Sequence, residues 1–78
     1  MGQKADVCAD HWHVWLWVGH HPACGWQWVA VEIDKYGREV GQIGRTAGSL
    51  EDARRKAEEF LRGIARGHYK IVWRDTPN

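Results

Sequence analysis

The chain is 78 residues long, enough for one domain with a modest core, because folding at this size removes only about 60% of the accessible surface from water. Eleven Lys and Arg against ten Asp and Glu leave a net charge of +1, which supplies no bulk attraction for a polyanion or an anionic membrane. Six Trp stand beside two Tyr and one Phe, more indole than so small a core hides with every N–H partnered, so part of this set is expected to face outward.

Residues 1–10 are polar and aperiodic, and they read as a flexible leader to a single domain over 11–75, with 76–78 as a polar tail. This leader lacks the apolar centre of a signal peptide, no apolar run approaches a membrane span, and two cysteines are too few for a disulfide framework. The expectation is a cytoplasmic protein with no membrane partner.

His11 to Val18 alternates and is rich in β-formers, which predicts a strand; GHHPACG interrupts it, and a second strand is expected over Trp26 to Ile33. Asp34-Lys35-Tyr36-Gly37 predicts a turn into a third strand near Arg38 to Ile43, followed by a loop over Gly44 to Gly48. Ser49 is placed to cap a helix whose first turn carries Glu51 and Asp52. Leu50, Ala53, Ala57, Phe60, Leu61 and Ile64 share one stripe of that helix. Asp52, Arg55, Glu59, Arg62 and Arg66 lie opposite, with Glu51–Arg55 and Glu58–Arg62 spaced for ion pairs. Gly67 is placed to end the helix, and Tyr69 to Arg74 predicts a last strand with Tyr69, Ile71 and Trp73 inward. The fold class is α+β: an antiparallel three-stranded meander, one helix and a fourth strand, βββαβ, with the helix packed on one face of the sheet.

One helix covers one face, so the open face becomes the functional question. Setting Val14, Leu16 and Val18 with Val29, Val31 and Ile33 beneath the helix gives a consistent aliphatic core. Trp15, Trp17, Trp26 and Trp28 then gather on the open side, flanked by His11, His13 and Glu32. Lys70 and Arg74 border this patch if the last strand joins the first. A one-residue slip of the first hairpin would exchange the faces of its second strand. Such an aromatic patch predicts a contact surface for another macromolecule, or for a second copy of the chain.

Catalytic patterns are sparse. Cys8-x-x-His11 and His21-x-x-Cys24 have zinc-like spacing, but a hairpin would hold the two pairs roughly 20 Å or more apart. His11 and His13 point to one side of a strand, and with Glu32 opposite they form the best metal candidate, a two-His, one-carboxylate set. A half-polar rim around the Trp face explains the same residues, and no metal or cofactor is expected. Cys24 beside His20 and His21 lacks a third orienting group, and Gly41-Gln-Ile-Gly44 lacks the features of a phosphate loop.

The Ser49-Leu50-Glu51-Asp52-Ala53 helix entry after a meander resembles that of HicB-type antitoxins, which implies a partial RNase H-like βββα module. In size and element order the chain is also similar to the small proteins with which phages block host defence, including anti-CRISPR proteins; both resemblances imply a non-enzymatic protein that occupies a partner's surface. The expected function is therefore a protein-binding module, a phage- or prophage-encoded inhibitor whose Trp15, Trp17, Trp26 and Trp28 fill an apolar groove of a larger protein or ribonucleoprotein complex. Glu32, Lys70 and Arg74 would set its orientation. The alternatives are single-stranded nucleic-acid binding on the same indoles, an antitoxin-like regulator, and a metal-dependent enzyme built on His11, His13 and Glu32.

Overall fold

The computed structural model describes residues 2–9, 12–65 and 68–76. Five strands, β1 (Gly2–Ala9), β2 (Trp12–His21), β3 (Gly25–Ile33), β4 (Glu39–Ala47) and β5 (Arg74–Asp75), form one antiparallel sheet in the order β4-β3-β2-β1-β5. A single helix, α1 (Leu50–Ile64), lies between β4 and β5 in sequence and packs on β2, β3 and β4. The α+β class and the one-sided helix match the sequence reading. The order is ββββαβ, one strand more than expected.

The additional strand comes from the presumed leader. β1 pairs along its whole length with β2, from Gly2 opposite Gly19 to Ala9 opposite Trp12. Ala5 and Val7 are buried against the core opposite Leu16 and Val14, while Lys4, Asp6 and Cys8 face the other way. Two small aliphatic residues among Gly, Lys and Asp make a weak strand signature; pairing with a strongly β-forming neighbour overrides it.

The β2–β3 hairpin decides which side chains share a face. β2 and β3 are joined by Pro22-Ala23-Cys24 alone, with His21 opposite Gly25 and Gly25 in the left-handed region at φ 76°. Pro22 supplies a preset φ, the Ala23 N–H donates to His21 Nδ1 at 3.1 Å, and Gly25 takes the conformation that a side chain resists. A three-residue loop pairs residues of like parity. Trp15 therefore opposes Val31 and Trp17 opposes Val29, whereas Leu16 opposes Ala30 and Val18 opposes Trp28. This corrects the sequence reading: Trp26, Trp28 and Glu32 lie on the helix side, and Val29, Val31 and Ile33 on the open side.

The second turn follows expectation. Asp34 accepts from the Gly37 N–H through its carbonyl and from the Tyr36 and Arg38 N–H groups through Oδ1, and Gly37 has φ 80°. β4 continues to Ala47, beyond the predicted end at Ile43, with a register shift opposite Glu32 and Ile33.

In α1, Ser49 Oγ accepts from the Asp52 N–H at 3.0 Å, and Ala53, Ala57 and Leu61 are fully buried with Leu50, Phe60 and Ile64 packed beside them. The helix ends at Ile64, where the Ala65 N–H donates to the Leu61 carbonyl; Gly67, the expected terminator, and Arg66 lie outside the described residues. Arg55 pairs with Asp52 and Glu59 instead of Glu51. Glu58 accepts from Trp73 Nε1 at 2.8 Å in place of an ion pair with Arg62. The last strand is short: residues 68–73 are irregular, and only Arg74 and Asp75 pair with β1. Tyr69, Ile71 and Trp73 nevertheless pack against the core, as their alternation predicts.

Candidate functional site

No helix or strand among the described residues packs over the sheet face opposite α1. Along β2 this face presents His13, Trp15, Trp17 and Gly19; along β3 it presents Gln27, Val29, Val31 and Ile33; along β1, Gly2, Lys4, Asp6 and Cys8. Its centre is the cross-strand quartet Trp15–Val31 and Trp17–Val29. Val31 is only 2% exposed although no helix covers it, with Trp15 and Gln42 as its direct cross-strand neighbours.

Glycine shapes this surface at one place. Gly2 and Gly19 pair directly, and a Cβ at Gly19 would fall 2.4 Å from Trp17 Cζ2. The Trp17 indole thus occupies the space over a two-glycine shelf that a side chain at either position would need. Trp15 is flanked by charge. Lys4 Nζ sits 4.8 Å from its ring centroid, and Lys4 is directly opposite Arg74 of β5. Two cations thus share one rim of the apolar face with two carboxylates, around a hollow of about 360 Å³ lined by Lys4, Asp6, Val72, Arg74, Asp75 and Thr76. His13 Nε2 is 3.5 Å from Asp6 Oδ1, a separation without hydrogen-bond geometry.

Of the predicted contact residues, Trp15, Trp17 and Arg74 lie together on this side of the sheet. Lys70 is exposed in the irregular segment before β5. Trp28 is 5% exposed with its ring centroid 5.5 Å from Phe60 beneath α1, and Trp26 meets His20 edge-on at 5.2 Å on the same side. Glu32 accepts from Trp12 Nε1 at 3.1 Å, also on the helix side. The sheet itself therefore separates Trp26, Trp28 and Glu32 from Trp15 and Trp17.

The same parity dismantles the metal candidate. His13 opposes Ile33 on the open face while Glu32 opposes Val14 beneath the helix, and His11 lies outside the described residues. Among the described residues no three His, Cys, Asp or Glu groups converge on a common point. Cys8 and Cys24 are free and exposed at opposite ends of β2, eight strand residues or roughly 26 Å apart.

Val29, Val31, Ile33 and Lys4 are the open-face residues that sequence reasoning missed. Pro22-Ala23-Cys24-Gly25 sets the parity that exposes the first three, but a left-handed Gly closes two-residue turns of opposite parity as well, so the sequence alone does not fix it. The chain matches no family model, no curated protein and no solved structure.

Proposed function

We propose that this protein is a non-enzymatic protein-binding module, of the type phages use to inhibit host defence complexes, that works by steric occlusion through the sheet face opposite α1. The observation behind this reading is the set of half-buried Trp15, Trp17, Val29 and Ile33, packed around the buried Val31, on a face that no described element covers. Flat indoles interleaved with β-branched side chains offer large, rigid apolar area at little entropic cost, the composition of an interface centre. Lys4 and Arg74, interleaved with Asp6 and Asp75 at one rim, favour a partner with charged groups of both signs beside its apolar segment.

The same rim favours a second reading, in which bases of a single strand stack on Trp15 and Trp17 while Lys4 and Arg74 meet phosphates. Aliphatic Val29, Val31 and Ile33 offer no ring for stacking, and a net charge of +1 supplies little counterion release, so the protein-binding reading is preferred.

A charge placed in the face tests both. Ile33→Lys and Trp15→Ala should abolish retention of a host protein in affinity capture while leaving the circular dichroism spectrum unchanged. Retention of the same proteins by folded variants overturns the reading. Oligonucleotide quenching of Trp fluorescence that fades with salt would assign the face to nucleic acid instead. A dimer in light scattering that Ile33→Lys dissolves would assign it to a second copy.

A further inference from the structure

The helix side of the sheet carries a separate feature. Where the last turns of α1 pass over β3 and β4 they leave a cavity of about 180 Å³ that opens to solvent on one side, walled by Val14, Ala30, Ile43, Phe60 and Ile64, with Glu32, Gly41 and Gln42 also on its lining. Glu32 is half-buried. Its Oε1 accepts from Trp12 Nε1 at 3.1 Å, which leaves most of its acceptor capacity unused. Its Oε2 is directed toward Gly41, where a Cβ would stand 3.9 Å away. Among the described residues no Lys, Arg or His forms an ion pair with it.

We propose that this cavity binds a small organic ammonium ion, a primary amine carrying one ring or a short branched alkyl group. The volume is slightly above the roughly 150 Å³ of an apolar protein cavity that takes up benzene. The apolar part of the wall, from Val14 and Ala30 to Phe60 and Ile64, suits a ring, and the single carboxylate suits one positive charge. Ile64 belongs to the last turn of α1, the end at which the helix dipole carries partial negative charge. A neutral apolar guest would strip water from Glu32 and return nothing, and an anion would face both the carboxylate and the helix terminus. An ammonium group donates to Glu32 while the ring fills the space beyond it.

Trp12 reports occupancy, because its indole N–H is bonded to the same carboxylate. In the ¹⁵N-labelled protein, benzylammonium should shift the Trp12 indole resonance saturably, with an affinity on the order of millimolar, as expected for about eight non-hydrogen atoms. Benzyl alcohol and phenylacetate should bind at least about tenfold more weakly, the fold-change for one charge-assisted contact. Glu32→Gln, which keeps an acceptor for Trp12, should remove the preference for the ammonium ion. Gly41→Leu, whose Cβ meets no backbone, should fill the cavity and abolish binding of all three. No saturable shift up to about 20 mM benzylammonium, equal binding of the alcohol, or unchanged selectivity in Glu32→Gln overturns the site. Should Glu32→Gln fail to fold, Gly41→Leu decides alone: binding retained by that folded variant overturns it.

Discussion

Asp52 sits at the third position of α1 and gathers three donors: the Gly48 N–H at 2.9 Å, the Arg55 guanidinium, and Lys56 Nζ at 3.2 Å. All three favour the ionised carboxyl, and the Gly48 backbone bond, followed by those to Arg55 and Lys56, lowers its pKa from 3.8 to about 2. A depressed folded-state pKa contributes stability above the unfolded value and loses it as pH falls through the folded one. The helix start is thus expected to weaken between about pH 4 and pH 2. Urea midpoints measured across that window should fall for the wild-type chain and fall less steeply for Asp52→Asn. An equal fall in both would show that other carboxylates govern acid unfolding. The sequence disclosed the cap and the acidic first turn, because both are local. It did not disclose that Glu32 and Glu58 satisfy the indoles of Trp12 and Trp73, since those partners lie 20 and 15 residues away.

The loop Pro22-Ala23-Cys24 sets the register of β2 against β3. Its odd length places aliphatic Val29, Val31 and Ile33 outside and Trp26, Trp28 and Ala30 inside, the reverse of what matching aliphatic with aliphatic suggests. Hydrophobic alternation located both strands, yet it cannot assign faces where both sides of a strand are apolar, as in β3. Trp28 takes the place expected for an aliphatic side chain by packing on Phe60, with its Nε1 buried without a hydrogen-bond partner among the described residues. Gly25 holds this register at φ 76°, so Gly25→Ala should cost about 1 kcal/mol in chemical unfolding. Deleting Ala23 would invert the parity, exposing Trp26 and Trp28, and should abolish cooperative unfolding altogether. A cooperative transition in that deletion variant would show that the hairpin tolerates either register.

Across the whole molecule, α1 carries the chain from the β4 edge of the sheet to the β5 edge, so the two ends of the described chain meet at β1 and β5. The class of fold was legible because the helix stripe and the middle strands are strongly periodic. β1 was not, because its place depends on β2 and β5 rather than on its own residues. Removing residues 1–9 would take Ala5 and Val7 from the core, leave β2 as an edge and deprive β5 of its partner. The truncated chain should lose its cooperative thermal transition and aggregate at micromolar concentration, as read by circular dichroism and light scattering. A soluble truncation with an unchanged Tm would return β1 to the status of a leader. The hydrogen bond from Gln3 Nε2 to Asp75 Oδ1 spans 72 positions, whereas β2, β3 and β4 are linked by tight turns. Closing so long a loop is entropically slow, and its reward is a two-residue ladder. The meander is therefore expected to form early from local contacts, and the β1–β5 seam to zip last. It is equally the first to fray, so its amides should exchange with solvent fastest among the paired strands.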